Sequence, residues 1–154
     1  MKLLKTGTFC LLLSLCIGRT SAQNSLLSKD VTFKKPELFR DLPKRMNLNL
    51  EPFTQLLQKE VGEQIRVSLA SGFLFTGVVV SKSDAAEQRS KTVVIKSTNR
   101  PGAALTVTGI RKSDGTYQYS GRMLSFKHSD AYELIEENGA FALQKKNLDD
   151  LVSE

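Results

Sequence analysis

His128, Ser129 and Asp130 stand side by side, and their types are those of serine-hydrolase chemistry. Such chemistry needs an imidazole between a nucleophile and an orienting acid. In an extended chain, neighbours point to opposite faces, so His128 and Asp130 share a face that Ser129 does not. His128 is the single histidine. The local pattern predicts a polar connection with a solvent-facing imidazole, and no catalytic residue is assigned. Paired carboxylates are the second chemistry to weigh. Glu136-Glu137 flanks an expected turn, and Asp149-Asp150 falls in an expected first helical turn, where acids are favoured electrostatically. No stretch alternates acids toward a closing glutamate as a calcium loop does. No metal site and no cofactor is expected.

The cations suggest binding instead. Residues 81–91, SKSDAAEQRSK, hold no large apolar side chain and read as a solvated loop. Lys82, Arg89 and Lys91 in that loop are candidates for meeting an acidic partner. Arg100 belongs to a second polar turn, Asn99-Arg100-Pro101-Gly102. A barrel that gathered both loops at one end would give them a common binding rim. Tyr117 and Tyr119 complete the candidate set, because they lie beside a turn, share one face, and tyrosine is enriched at interfaces. Phe73, Phe75, Phe126, Tyr132 and Phe141 read as core or cross-strand aromatics.

Residues 1–22 carry the pattern of a cleavable secretory signal. Lys2 and Lys5 precede an apolar run from Phe9 to Ile17, and Thr20-Ser21-Ala22 supplies small residues before an expected cleavage at Gln23. The run is shorter than the roughly 20 residues that span a bilayer. Leu13-Ser14-Leu15-Cys16 partly resembles a lipobox, but Leu15 is larger than that motif's penultimate residue. Both cysteines, Cys10 and Cys16, would leave with the leader, and with them any disulfide, thiolate metal site or thiol nucleophile. The leader also takes Lys2, Lys5 and Arg19 from the 22 cations and none of the 16 acids, which lowers the formal charge from +6 to +3. Half the basicity is then targeting signal, and no nucleic-acid partner is expected. No second apolar run reaches membrane length, so the mature chain is expected to be secreted, periplasmic or otherwise located in a cell envelope, with no transmembrane segment.

The elements that must position these residues follow from periodicity. Residues 23–50 are basic, carry Pro36 and Pro43, and read as an extended arm or linker that packs along the domain. Residues 51–154 form a single domain. Pro52 opens a short helix whose apolar face is Phe53, Leu56, Leu57 and Val61, stopped by Gly62. From Gln64 the period becomes two. Ile65, Val67 and Leu69 mark the first strand, and 73–80, 92–96, 104–111, 117–126, 131–136 and 141–144 mark six more. Ser71-Gly72, Ser113-Asp114-Gly115 and Asn138-Gly139 are turns. The apolar phase slips between Tyr119 and Leu124, which predicts a bulge at Gly121. Asn147 resembles the cap of a last helix with Leu148, Leu151 and Val152 on its apolar face. Short connections without a crossover helix predict a mainly β fold, an antiparallel meander of about seven strands with a short helix at each end. A small barrel and a two-layer sandwich both satisfy this alternation.

Ile65-x-Val67-x-Leu69-x-x-Gly72-x-x-Phe75-x-Gly77-x-Val79 resembles the first hairpin of Sm-like small barrels. The resemblance implies a bent, barrel-forming hairpin. It does not carry RNA binding, since Ser83, Asp84 and the Ala86-Glu87-Gln88 run depart from that family's pattern and Ile110-Arg111-Lys112 only echoes its later signature. Three functions fit. The first is a non-enzymatic β-domain binding a protein or polymer partner. The second is a small hydrolase using carboxylates or His128. The third is a pro-domain-like or inhibitory module whose basic stretch 32–45 lies in an enzyme's cleft. Oligomeric state is left open.

Overall fold

Ile65, Leu69, Phe73, Phe75 and Val79, the apolar half of the first hairpin's alternation, are all exposed by 5 % or less. The computed structural model describes residues 35–85 and 89–153. The expected leader, its cleavage site, Cys10, Cys16 and the beginning of the arm lie outside the described residues.

Among the described residues, eight strands form one antiparallel sheet. They are β1 (Arg45–Asn47), β2 (Gln64–Ala70), β3 (Phe73–Ala85), β4 (Ser90–Ser97), β5 (Ala104–Arg111), β6 (Tyr117–Leu124), β7 (Asp130–Glu137) and β8 (Ala140–Asn147). Strands β2 to β8 follow one another as a meander, and β1 joins outside β8. The sheet curls into a half-barrel rather than splitting into two layers. Leu48, just past edge strand β1, donates its amide to the Phe141 carbonyl of β8 at 2.9 Å and makes a single bridge to Ala70 on β2, the opposite edge. The basic stretch before residue 51 therefore contributes the eighth strand.

Two insertions fill the concave side. Helix α1 (Leu50–Gln55) is capped by the Asn49 side chain and continues as a 3-10 turn, Leu56–Gln58. Phe53, Leu56 and Leu57 are buried as their spacing predicts, but the helix stops at Gln58 and leaves Val61 60 % exposed. Gly121 shows no bulge, since the β5–β6 ladder runs through it in register, opposite Val107. The phase slip has another cause. A Cβ at Gly121 would lie 2.5 Å from the Phe53 ring, so the glycine is the space that Phe53 occupies. Leu124, on the other face, packs against Ala131, Leu148 and Leu151 beneath α2 (Leu148–Val152). Asn147 precedes α2 without a side-chain capping bond.

The bulges fall elsewhere, between Ser68 and Ala70 and between Val79 and Ser81. The second moves the alternation of β3 by one residue, so that Lys82 shares a face with buried Val93. The Ser71-Gly72 turn, where Gly72 has φ of +74°, closes the β2–β3 hairpin. Residues 81–91 are mostly strand rather than loop: β3 runs to Ala85 and β4 begins at Ser90, and 86–88 lie outside the described residues.

The second insertion is the arm. Phe39 is fully buried and meets the Tyr132 ring edge-on at 5.3 Å. Asp130 accepts hydrogen bonds from the amides of Leu38 (2.7 Å) and Phe39 (2.9 Å). Lys145 donates to the Phe39 carbonyl, the Tyr132 hydroxyl to the Pro43 carbonyl, and the Ser129 amide to the Pro36 carbonyl.

Truncating Phe39 to alanine removes a fully buried ring, and denaturant titration should show a loss of about 3–5 kcal/mol. Gly121→Ala should overpack the Phe53 contact by roughly 1–3 kcal/mol. Combining it with Phe53→Leu should cost less than the two changes summed; strict additivity would mean that the glycine is not making room for the ring.

Candidate functional site

Consecutive turns of a meander lie at opposite ends of its sheet, and this separates the predicted residues. At one end the β5–β6 turn closes on Gly115 with φ of +86°. The Asp114 carboxylate accepts from the Thr116 amide at 2.8 Å and its hydroxyl at 2.6 Å. Those bonds, the hydroxyl's first, hold the Asp114 carboxyl below its usual range. Beside it lies the tip of the β3–β4 hairpin, where Arg89 has φ of +50°, a left-handed conformation that a non-glycine residue seldom adopts. The Arg111 amide donates to the Arg89 carbonyl at 2.8 Å and joins the two tips. Arg89, Arg111 and Lys112 thereby line one groove of about 410 Å³ with Ser113 and Gly115.

The tyrosines lie on the adjoining strand β6. Tyr117 sits opposite Arg111 in the ladder and is 46 % exposed. Its ring stacks on Tyr119 with centroids 6.0 Å apart and planes 11° from parallel. Tyr119 is half-buried and meets Phe141 edge-on at 6.5 Å. This end thus presents three cations beside a stacked aromatic pair.

The other predicted cations are spoken for. Lys82 pairs with Glu60 at 2.5 Å, and Lys91 with Asp84 at 3.1 Å. Arg100 lies at the opposite end, where its guanidinium grips Asp41 through two bonds of 2.7 and 2.5 Å and donates to the Leu38 carbonyl at 3.3 Å. That grip holds the Asp41 carboxyl below its usual range and raises the Arg100 guanidinium. Arg100 fastens the arm. Arg89 alone of the four predicted cations reaches the groove unpaired among the described residues. Arg111 and Lys112 escaped the sequence reading because cross-strand register, which the chain does not spell out locally, brings them beside Arg89.

His128 is half-buried rather than solvent-facing. Its Nδ1 lies 2.9 Å from the Ser125 Oγ, and its amide donates to the Ser125 carbonyl at 3.0 Å. The pair closes a turn. Ser125 is 2 % exposed, Ser129 is bonded to Pro36, and both Asp130 oxygens are taken by arm amides. The adjacent acids also have structural work: Glu137 pairs with Arg45 at 2.8 Å, and Asp149 and Asp150 occupy the first turn of α2. Among the described residues, no three of His, Cys, Asp and Glu gather as metal ligands. No known protein family, characterised protein or solved structure shows significant similarity to this chain.

The carboxyl groups of Asp41, Glu63 and Asp114 are all lowered, Glu63 chiefly by the Glu60 amide. A lowered folded-state pKa contributes stability that is present above the unfolded value, about 4, and is lost as pH falls through the folded value. Burial pushes the Tyr132 hydroxyl up to about 12, so the opposite sign applies: stability holds below the ordinary value of 10.0 and declines between there and 12. Urea midpoints measured across pH should fall on both sides. Asp41→Asn should flatten part of the acid limb, and Tyr132→Phe the alkaline one.

Proposed function

We propose that this chain is a non-enzymatic β-domain, exported from the cytoplasm, that binds an acidic protein or polymer partner through its cationic and aromatic rim. One observation carries the reading. Arg89, Arg111 and Lys112 line a common groove, form no ion pair among the described residues, and have exposed Tyr117, stacked on half-buried Tyr119, across the ladder from Arg111. Export rests on the composition of residues 1–22. Among the described residues no helix is long and apolar enough to cross a membrane.

The competing readings draw less support. A hydrolase centred on His128 would use a serine that is almost wholly buried, and Ser125 is the imidazole's only hydrogen-bond partner among the described residues. An inhibitory arm would need its basic residues free for a partner's cleft, whereas Pro36, Leu38, Phe39, Asp41 and Pro43 are fastened to the domain itself.

Charge reversal tests the rim. Arg89→Glu, Arg111→Glu and Lys112→Glu together should abolish retention on immobilised polyglutamate at moderate salt. The fold should be nearly unaffected, because exposed substitutions usually change stability by about 0.5 kcal/mol or less. Reversing Lys35, Lys127 and Lys146, exposed cations outside the rim, changes net charge equally and should leave retention in place. Equal loss in both triple variants would sink the rim reading in favour of diffuse charge attraction.

A further inference from the structure

The ladder between β6 and β7 stops early. Its pairs are Leu124 with Ala131, Met123 with Tyr132 and Arg122 with Glu133. β6 continues back to Tyr117 and β7 on to Glu137, each then paired only with its other neighbour. Residues 117–121 therefore present a free strand edge inside the sheet, where alternate residues direct an amide and a carbonyl outward. On the convex side the divergence opens into a groove of about 350 Å³ lined by Thr106, Thr108, Ser120, Arg122, Leu124 and Glu133. The edge has no proline or lysine to block pairing, the usual protection of exposed strands. The concave side is screened by the contact between Tyr119 and Phe141.

We propose that this edge accepts an extended peptide from a protein partner, which pairs antiparallel with β6. The proposal rests on the rim reading and names its partner class. Antiparallel pairing brings the C-terminal end of the peptide beside Tyr117, across the ladder from Arg111 and next to Lys112. A peptide ending in acids meets complementary charge there, from cations that form no ion pair among the described residues. Glu133 and the exposed Glu136 stand on the other lip of the divergence, so the length of the peptide should be uncharged. Strand addition would take affinity from main-chain hydrogen bonds and selectivity from alternate side chains, one set entering the threonine-lined groove.

The probe is a seven-residue peptide alternating threonine and valine and ending in two glutamates, titrated into the full chain. Binding should slow amide hydrogen exchange within residues 118–121. Two further peptides, N-methylated on odd or on even amides, should separate, with one losing at least tenfold in affinity. Equal binding by all three would overturn strand addition while leaving the rim as a charge site. So would polyglutamate retention with no peptide binding. Loss of both would remove the rim reading as well.

Discussion

The Asp130 carboxylate, buried to 3 % exposure, organises this molecule from one end of its sheet. Its oxygens accept the amides of Leu38 and Phe39, which places the Phe39 ring against Tyr132 in the core. A half-barrel leaves its concave side open, and a backbone crossing that opening carries amides that must find partners. One carboxylate satisfies two of them, with Lys145 3.9 Å away to offset the charge. Arg100 and the Tyr132 hydroxyl fasten the arm further along. This latch leads the chain into β1, and β1 delivers Leu48 to the point where both sheet edges meet. Closure and core thus share one polar anchor.

At the other end the closing element is α1 with its 3-10 extension, and apolar fit does the work. Phe53 and Leu57 approach the sheet where Gly121 and Gly109 lack side chains; a Cβ at Gly109 would lie 2.8 Å from Leu57. The two ends are consequently different materials. One is sealed by hydrogen-bonded charge, whereas the other is filled by rings and leucines and bordered by turns whose Arg89, Arg111 and Lys112 form no ion pair among the described residues. Polar residues at the sealed end are consumed by folding. On the rim, Asp114 and Lys91 have internal partners, whereas Arg89, Arg111 and Lys112 form no ion pair among the described residues, and the proposed binding is placed on those three.

Periodicity made most of the sheet legible. Ile65, Val67 and Leu69 and the hairpin at Asn138-Gly139, where both residues take positive φ, need only local rules. β1 was not legible, because three residues inside a proline-flanked basic stretch have no period to read. Its pairing with β8 is set by the distant latch. Gly121 misled for a related reason: a glycine between two apolar phases reads as a bulge from within the strand, and only the approach of Phe53 reveals it as a space. Of the candidate residues, Tyr117 and Tyr119 share a face by parity within one strand, which is a local pattern. Arg89 gained Arg111 and Lys112 as companions through register between strands. Lys82, Lys91 and Arg100 look equivalent to Arg89 in sequence and differ because Glu60, Asp84 and Asp41 reach them in space.

The early end of the β6–β7 ladder joins these themes. Near the sealed end, Asp130 and Ser129 are tied to the arm, and Met123 packs beside Tyr132, so β6 and β7 are held in register. Farther along, Gly121 yields its space to Phe53, and Tyr119 turns toward Phe141 on β8 instead of toward a partner on β7. Side-chain packing under the sheet has replaced main-chain pairing within it. Packing of that kind screens the concave side but cannot supply hydrogen bonds to an edge. Backbone groups on that edge are left to water or to another strand. A fold that spends its best polar anchor closing one end therefore keeps its pairing capacity at the other, near cations that form no ion pair among the described residues.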